Sequence, residues 1–331
     1  MIITRTPYRI SFLGGGTDHP LWYEKNGGAV LSASINKFCY ISCRFRPPFF
    51  KHKHRIVYSE QENVNNIDEI DHPSARECMR YVKQKRGLEI HHDGDLPAMS
   101  GLGSSSSFTV GLLHALYGLD GRITTKRQLA LDAIHVEQNL IKENVGSQDQ
   151  TSAAFGGFNK IEFGGNQKIT VNPITISNER LHDFQNHLLL FFTDFSRKAS
   201  EIEAEKLKKF KDKSNELRAM AAMVQDGIDI LKGNGSIDGF GKLLDQGWKL
   251  KRGLASVVST SKIDAIYEAG LKAGANGGKL LGAGGGGFML FFAPPERHKK
   301  IKEKLKKFLN VPFCIDYSGS QIIYYAPQVL G

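Results

Sequence analysis

An α+β fold is what the sequence predicts, on three observations. The opening residues alternate polar and apolar side chains as a strand does. Longer stretches further on place apolar residues at helical spacing. Strand-like and helix-like segments then mix without the regular alternation that a doubly wound parallel sheet requires. With 331 residues, 40% of them hydrophobic and 24% charged, the chain can bury a sizeable core unaided. Global disorder, collagen-like repeats and a disulfide scaffold are excluded.

Residues 1–60 read as strands, and 35–45 is a short apolar and aromatic run with polar interruptions that suits a half-buried sheet. The basic, His-containing stretch 49–55 reads as a surface turn or hairpin tip. Residues 74–86 read as a helix closed by Gly87, residues 88–92 as a short strand, and Asp93-Gly94-Asp95 as an acidic turn. A Gly/Ser-rich loop then runs directly into an apolar helix at 105–116. A second helix is predicted over 126–143, with Leu129, Ala133, Val136 and Leu140 on one stripe. Residues 144–157, rich in glycine and short side chains, read as a flexible loop, and 158–171 as strands. The apolar runs 187–192 and 288–293 are far too short for a bilayer, which takes about 20 residues, and read as buried strands. Between them lie predicted helices at 199–232, 237–255 and 263–273; the first carries Phe210, Leu217, Met220, Val224, Ile228 and Leu231 on one face. A glycine loop entering a strand, then a helix and a strand, complete the chain. The polar stretch 172–186, with Pro173 inside it, marks a domain boundary that divides residues 1–175 from 176–331.

Net charge is +10, which suits nucleic acid, an acidic membrane or anionic small molecules. Its distribution argues against nucleic acid. Residues 296–309 alone carry seven Lys/Arg and two Glu, with Ile301, Leu305, Phe308 and Leu309 at helical spacing. That is an amphipathic helix with a solvated basic face. The four cysteines, Cys39, Cys43, Cys78 and Cys314, form no CxxC pair and no zinc-like spacing with histidine. The start of the chain lacks the apolar stretch of a secretory signal. A reduced, cytoplasmic protein is the expectation.

Four segments could carry chemistry. In the first, Arg9 on a strand leads to Gly14-Gly15-Gly16-Thr17-Asp18; glycines let a ligand approach the backbone, and Asp18 can accept hydrogen bonds from hydroxyls. A tight turn with an Asx cap would look the same. In the second, Gly101-Leu102-Gly103 is followed by Ser104, Ser105, Ser106 and Ser107 at a helix start. First-turn N–H groups bind anions, although no lysine completes the GxxxxGK(S/T) loop, and a serine N-cap on a core helix is the plain alternative. In the third, Glu137 lies four residues after Ala133 and four before Ile141, at the edge of the apolar stripe. An unpaired carboxylate there is costly, and a cation would resolve the cost. Asp149 follows on the loop, so two separated carboxylates suit one metal ligand and one base. The fourth is the glycine run 284–287 behind Lys279 and Gly282, placed between a helix and a buried strand.

These motifs, PYRISFLGGGTD, PAMSGLGSSSS and KLLGAGGGGF, occur in one order across nearly the whole chain. In that combination the sequence resembles the GHMP kinase superfamily of small-molecule kinases. Galactokinases have a Glu-His pair before Thr-Asp where this chain has Gly15-Gly16. The further stretches GGAVLSASINKF, GSQDQTSAAFGGFN and GWKLKRGLA are most similar to the D-glycero-D-manno-heptose 7-phosphate kinases, which phosphorylate the anomeric C1 hydroxyl, with L-fucokinase as the runner-up. The resemblance implies a two-domain fold, with a ribosomal-protein-like N-terminal domain, a ferredoxin-like C-terminal domain and the site in the cleft between them. It implies Asp149 as the catalytic carboxylate and Arg9 as its cationic partner. Gly101, Leu102, Gly103, Ser104, Ser105 and Ser106 would hold the nucleotide phosphates. Ser105 and Glu137 would be magnesium ligands, with Ser104 or Ser106 as alternative registers. Gly15, Gly16, Thr17, Asp18, Gly285 and Gly286 would line the sugar pocket, and Arg76, Lys37 or Arg197 would meet the sugar's own phosphate. ATP and Mg2+ are the implied cofactors. A small-molecule sugar phosphate is the implied partner, with no nucleic acid or membrane, and a monomer or homodimer as the assembly. A rival reading, an RNA-binding protein, requires aromatic platforms interleaved with Lys/Arg on a sheet face, and the sequence has no such pattern.

Overall fold

The structure, a computed structural model, describes residues 1–98, 100–166, 168–193, 199–208, 210 and 212–326. Two sheets organise it. The larger contains β1 (Ile2–Leu13), β2 (Gly28–Phe45), β3 (His54–Val57), β4 (Gln61–Val64), β5 (Leu88–Gly94), β6 (Phe158–Gly164) and β7 (Lys168–Pro173). The smaller contains β8 (Leu188–Phe192), β9 (Gly277–Leu280), β10 (Phe288–Phe292) and β11 (Leu309–Asn310). The last strand, β12 (Gln321–Tyr325), returns to the larger sheet and pairs with β1, Ile2 opposite Tyr325. A cut after residue 175 therefore separates two sheets but not two self-contained stretches of chain. The C-terminal strand completes the N-terminal sheet, whose order is β12-β1-β2-β5-β3-β4 with β6 and β7 alongside β2.

The helices are α1 (Pro20–Asn26), α2 (Pro73–Tyr81), α3 (Ser104–Leu119), α4 (Lys126–His135), α5 (Gln148–Phe155), α6 (Asn178–Asn186), α7 (Ala199–Lys208), α8 (Ser214–Lys232), α9 (Asp238–Leu254), α10 (Ser261–Ala273) and α11 (His298–Lys304). The smaller sheet, read β8, helices, β9, β10, α11, β11, has its strands antiparallel in the spatial order 4-1-3-2. That is the ferredoxin-like arrangement.

Several predicted elements change at their ends. The 126–143 helix is α-helical only to His135, and Val136–Ile141 then widens into a π turn. Such turns recur at functional sites because they re-aim one side chain. The 199–232 helix is two helices, α7 and α8. The basic C-terminal helix is short, ending at Lys304. The largest difference is at 144–157, where the expected loop holds α5. Its short side chains conceal it from propensity, but Gln150, Thr151, Ser152, Ala153 and Ala154 are all buried. Ser152 anchors it to β2: its hydroxyl lies 3.1 Å from that of Ser32, and its carbonyl accepts from Ser34 at 2.9 Å. Tertiary packing makes this helix, not its own composition.

The two sheets share one core. Phe12 of β1, Phe184 of α6, Phe240 of α9 and Phe292 of β10 contact one another edge to face or tilted, at centroid spacings of 5.3, 5.0 and 5.6 Å along the series. Such pairs add about 0.5–1.5 kcal/mol each beyond burial. The aromatic series sets the distance between the two halves, and so the shape of the cleft between them.

Candidate active site

A cavity of about 280 Å3 lies in that cleft, lined by the end of β1, the turn before α1, the start of α3, the start of α5, α7, α9 and the β9–β10 loop. Arg9 and Asp149 meet in it. Arg9 Nε donates to Asp149 Oδ1 at 2.7 Å and Nη2 to Oδ2 at 2.6 Å, a two-pronged fork. The remaining arm, Nη1, donates to the Gly101 carbonyl at 2.7 Å. One side chain thus holds the carboxylate and the glycine loop in a single arrangement, while the Asp149 side chain stays 24% exposed to the cavity. Asp149 sits in the first turn of α5, where the helix dipole favours a negative charge.

The glycine loop enters α3 through Gly103, which is left-handed at φ 78°. Gly101, Gly103, Ser104, Ser105 and Ser106 line the cavity, whereas Leu102 is buried beneath them. The opposite glycine loop interlocks with this one. A Cβ on Gly282 would stand 2.4 Å from Gly101 Cα, and one on Gly101 would stand 2.6 Å from the Leu281 carbonyl oxygen. Only glycine permits that approach. Gly282 and Ala283 reach the cavity. Gly285 and Gly286 do not line it, and the Gly285 N–H donates to the Val258 carbonyl at 3.0 Å.

Glu137 lies in the π turn and is fully buried. The Ser106 hydroxyl donates to its Oε2 at 2.9 Å, and the Gln150 amide donates to the same oxygen. Among the described residues its other oxygen, Oε1, has no hydrogen-bond partner. Burial, reinforced by Glu143, pushes the carboxyl up to about 8. Ser106 is thus the serine in contact with Glu137, while Ser105, one position earlier, is exposed in the cavity wall. An orphaned carboxylate oxygen beside a serine hydroxyl fits a divalent cation completed by phosphate oxygens and water. Among the described residues no three His, Cys, Asp or Glu side chains gather into an all-protein metal cage.

Asp18 is 3% exposed and faces the cavity, its Oδ1 accepting from the Gly16 N–H at 2.8 Å and its Oδ2 from the Gln148 N–H at 3.4 Å. Gly15 and Gly16 line the same wall. Thr17 does not: its hydroxyl donates to the Gly14 and Ala29 carbonyls at 2.8 and 2.9 Å, closing the turn onto β2. The cations expected at the sugar's phosphate lie elsewhere. Arg76 donates to the Ile70 carbonyl at 2.6 Å and pairs with Glu77, and neither it nor Lys37 lines the cavity. Arg197 lies outside the described residues. Among the described residues the cations that line the cavity, besides Arg9, are Lys206, Lys251 and Lys279. Lys251 lies inside the GWKLKRGLA stretch and Lys279 heads the last glycine motif, so both had a sequence signal. Lys206, within a polar helix, had none.

A glycine loop at a helix N-terminus, a forked Arg–carboxylate pair and a buried Glu–Ser pair around one cleft define a phosphoryl-transfer enzyme of the two-domain α+β kind. Comparison with known proteins gives the family. The description "GHMP kinases N terminal domain" matches residues 74–157, and "GHMP kinases C terminal" matches residues 201–311. The chain is 32% identical over 318 residues to the D-glycero-alpha-D-manno-heptose 7-phosphate kinase of Campylobacter jejuni, covering 92% of this chain and 93% of that one. It is 24% identical over 344 residues to the bifunctional fucokinase/GDP-fucose pyrophosphorylase of Arabidopsis thaliana, covering 93% of this chain and 32% of that one. A solved structure, a D-glycero-D-manno-heptose 1-phosphate kinase from Bacteriodes thetaiotaomicron, superposes with a TM-score of 0.79 over 98% of this chain and all of that one, at 22% identity. The chain belongs to the GHMP kinases and is a sugar kinase, a phosphotransferase with an alcohol acceptor.

Proposed function

We propose that the chain transfers the γ-phosphoryl group of ATP, with magnesium, to the anomeric C1 hydroxyl of D-glycero-D-manno-heptose 7-phosphate, giving the 1,7-bisphosphate. The Arg9–Asp149 fork beside the Gly101–Gly103 loop carries the chemistry. The likeness to the Campylobacter jejuni heptose kinase over nearly the whole of both chains supports the acceptor.

Asp149 takes the proton of the C1 hydroxyl through a lone pair that the fork leaves free. The C1 oxygen bonds to the γ-phosphorus as the bond from that phosphorus to its bridging oxygen breaks, and ADP leaves with the electron pair. Arg9 holds Asp149 aimed through the two charge-assisted hydrogen bonds of the fork. The loop N–H groups at the start of α3 hold the nucleotide phosphates. Glu137 and Ser106 would hold magnesium, which when bound neutralises charge on the β- and γ-phosphates. Asp18, Gly15 and Gly16 would orient the sugar. Among the described residues no helix is long and apolar enough to cross a membrane.

A second reading, a kinase of an unphosphorylated sugar of the L-fucose kind, is favoured by one observation: Arg76 and Lys37 lie away from the cavity. An ADP-release assay with the phosphorylated heptose, the same heptose without its phosphate, L-fucose and D-galactose separates the two. Turnover confined to the phosphorylated heptose, with the new phosphorus resonance assigned to C1, is expected. Comparable kcat/KM on L-fucose would replace the first reading by the second.

A further inference from the structure

Among the described residues four cations face the cavity, and two of them have no anionic partner. Arg9 is engaged by Asp149, and Lys206 pairs with Glu203. Lys251 and Lys279 are each 6% exposed, and among the described residues neither has a carboxylate within ion-pair distance. Lys251 Nζ donates to the Gly282 carbonyl and lies 3.5 Å from that of Leu280; Lys279 Nζ donates to the Phe12 carbonyl at 2.8 Å. The cavity's remaining carboxylates are Asp18, held by main-chain N–H groups, and Glu143, which burial holds above its ordinary range. Burial, and then Lys279, pushes Lys251 well below the ordinary ammonium range; burial, and then Arg9, brings Lys279 down to about 7. Two desolvated ammonium groups sharing one cavity are costly unless an anion completes them.

Their anchors place that anion. Gly282, whose carbonyl holds Lys251, packs on Gly101, whose carbonyl accepts from Arg9. Phe12, whose carbonyl holds Lys279, follows Arg9 on β1. Both lysines are therefore fastened to main chain that adjoins the residues of the Arg9–Asp149 fork. We propose that Lys251 and Lys279 form an anion subsite that contacts the phosphoryl group as it passes from nucleotide to acceptor, and that they are further catalytic residues. The inference rests on the phosphotransfer reading but not on which sugar is the acceptor. During transfer the phosphoryl oxygens carry the charge that left with neither ADP nor the sugar, and fixed ammonium groups stabilise it without reorganisation.

The test uses the full chain with Lys251→Met and Lys279→Met, with Lys251→Arg and Lys279→Gln as gentler variants should either fold poorly by its melting temperature. Two quantities are measured: kcat and KM for ATP and for each sugar that wild type accepts, and the affinity for magnesium-ADP with and without fluoroaluminate, a mimic of the phosphoryl group in transit. A fall in kcat of about 100-fold is expected on phosphorylated and unphosphorylated acceptors alike, with each KM within about threefold. Fluoroaluminate should lose its tightening effect while magnesium-ADP alone binds as in wild type, and Lys251→Arg should recover part of kcat. A selective rise in KM for phosphorylated acceptors, with kcat kept, would overturn the proposal and assign the lysines to the acceptor's own phosphate. Fluoroaluminate tightening that persists in both variants would overturn it as well. A wild type that turns over none of the sugars ends the acceptor reading instead, and the fluoroaluminate comparison still reads the lysines.

Discussion

Ser106 and Glu137 show how much depends on one residue of register. Four serines stand in a row, and the helix decides which of them meets Glu137: Ser106 does, at 2.9 Å, while Ser107 is buried against the Pro7 carbonyl and Ser105 is exposed in the cavity wall. Ser106→Ala is expected to weaken magnesium-dependent turnover by about 10–100-fold, and Ser105→Ala to stay within about threefold, as kcat titrated against magnesium would show. Glu137 also has a thermodynamic signature. Burial raises its folded-state value to about 8 from an ordinary 4.5, so the folded chain binds this proton more tightly than the unfolded chain. The stability so gained is complete below about pH 4.5 and is lost as pH rises through 8. Glu137→Gln should therefore match wild type in urea midpoint at pH 4.5 and exceed it at pH 8 without magnesium, while losing turnover. Equal midpoints at pH 8 would mean that the carboxyl has another partner.

At the scale of elements, the interlocked glycine loops position the site. Gly282→Ala forces a side chain into the main chain of Gly101 and requires a left-handed residue other than glycine, at φ 73°. About 1–3 kcal/mol of stability should be lost, with a higher KM for ATP because the phosphate loop is displaced. Unchanged ATP binding would show that the two loops are independent. The sequence announced both loops through their glycines but concealed α5, because its aspartate, serine and threonine compete with the helix through local side-chain hydrogen bonds when exposed. Asp149 was legible as chemistry while its helix was not. The π turn at Glu137 was equally hidden, since a widened turn leaves the apolar stripe intact.

For the whole molecule, fold class and family were legible because three glycine motifs in order constrain a single architecture. The return of β12 to β1 was not, since strand pairing 323 residues apart leaves no local trace. The buried cations of the cavity were half legible: lysines beside glycine motifs stand out, and those on polar helices do not. Acid stability is a property of the same scale. Burial holds His54 and His72 down to about 4, so below pH 6.5 the unfolded chain takes up protons that the fold refuses, and stability falls as pH drops from 6.5 through 4. The urea midpoint should decline over that window, and less steeply in a His54→Gln, His72→Gln double variant.

Asp149 is the residue on which the proposed proton transfer depends. Asparagine has the same shape but offers Arg9 one acceptor oxygen in place of two and cannot take the proton. Calorimetric ATP binding combined with steady-state kcat in Asp149→Asn is the direct measurement. Nucleotide affinity close to wild type, with kcat lower by about 1,000-fold, is predicted. Turnover near wild type in a variant that binds ATP normally would contradict the assignment of Asp149 as the base.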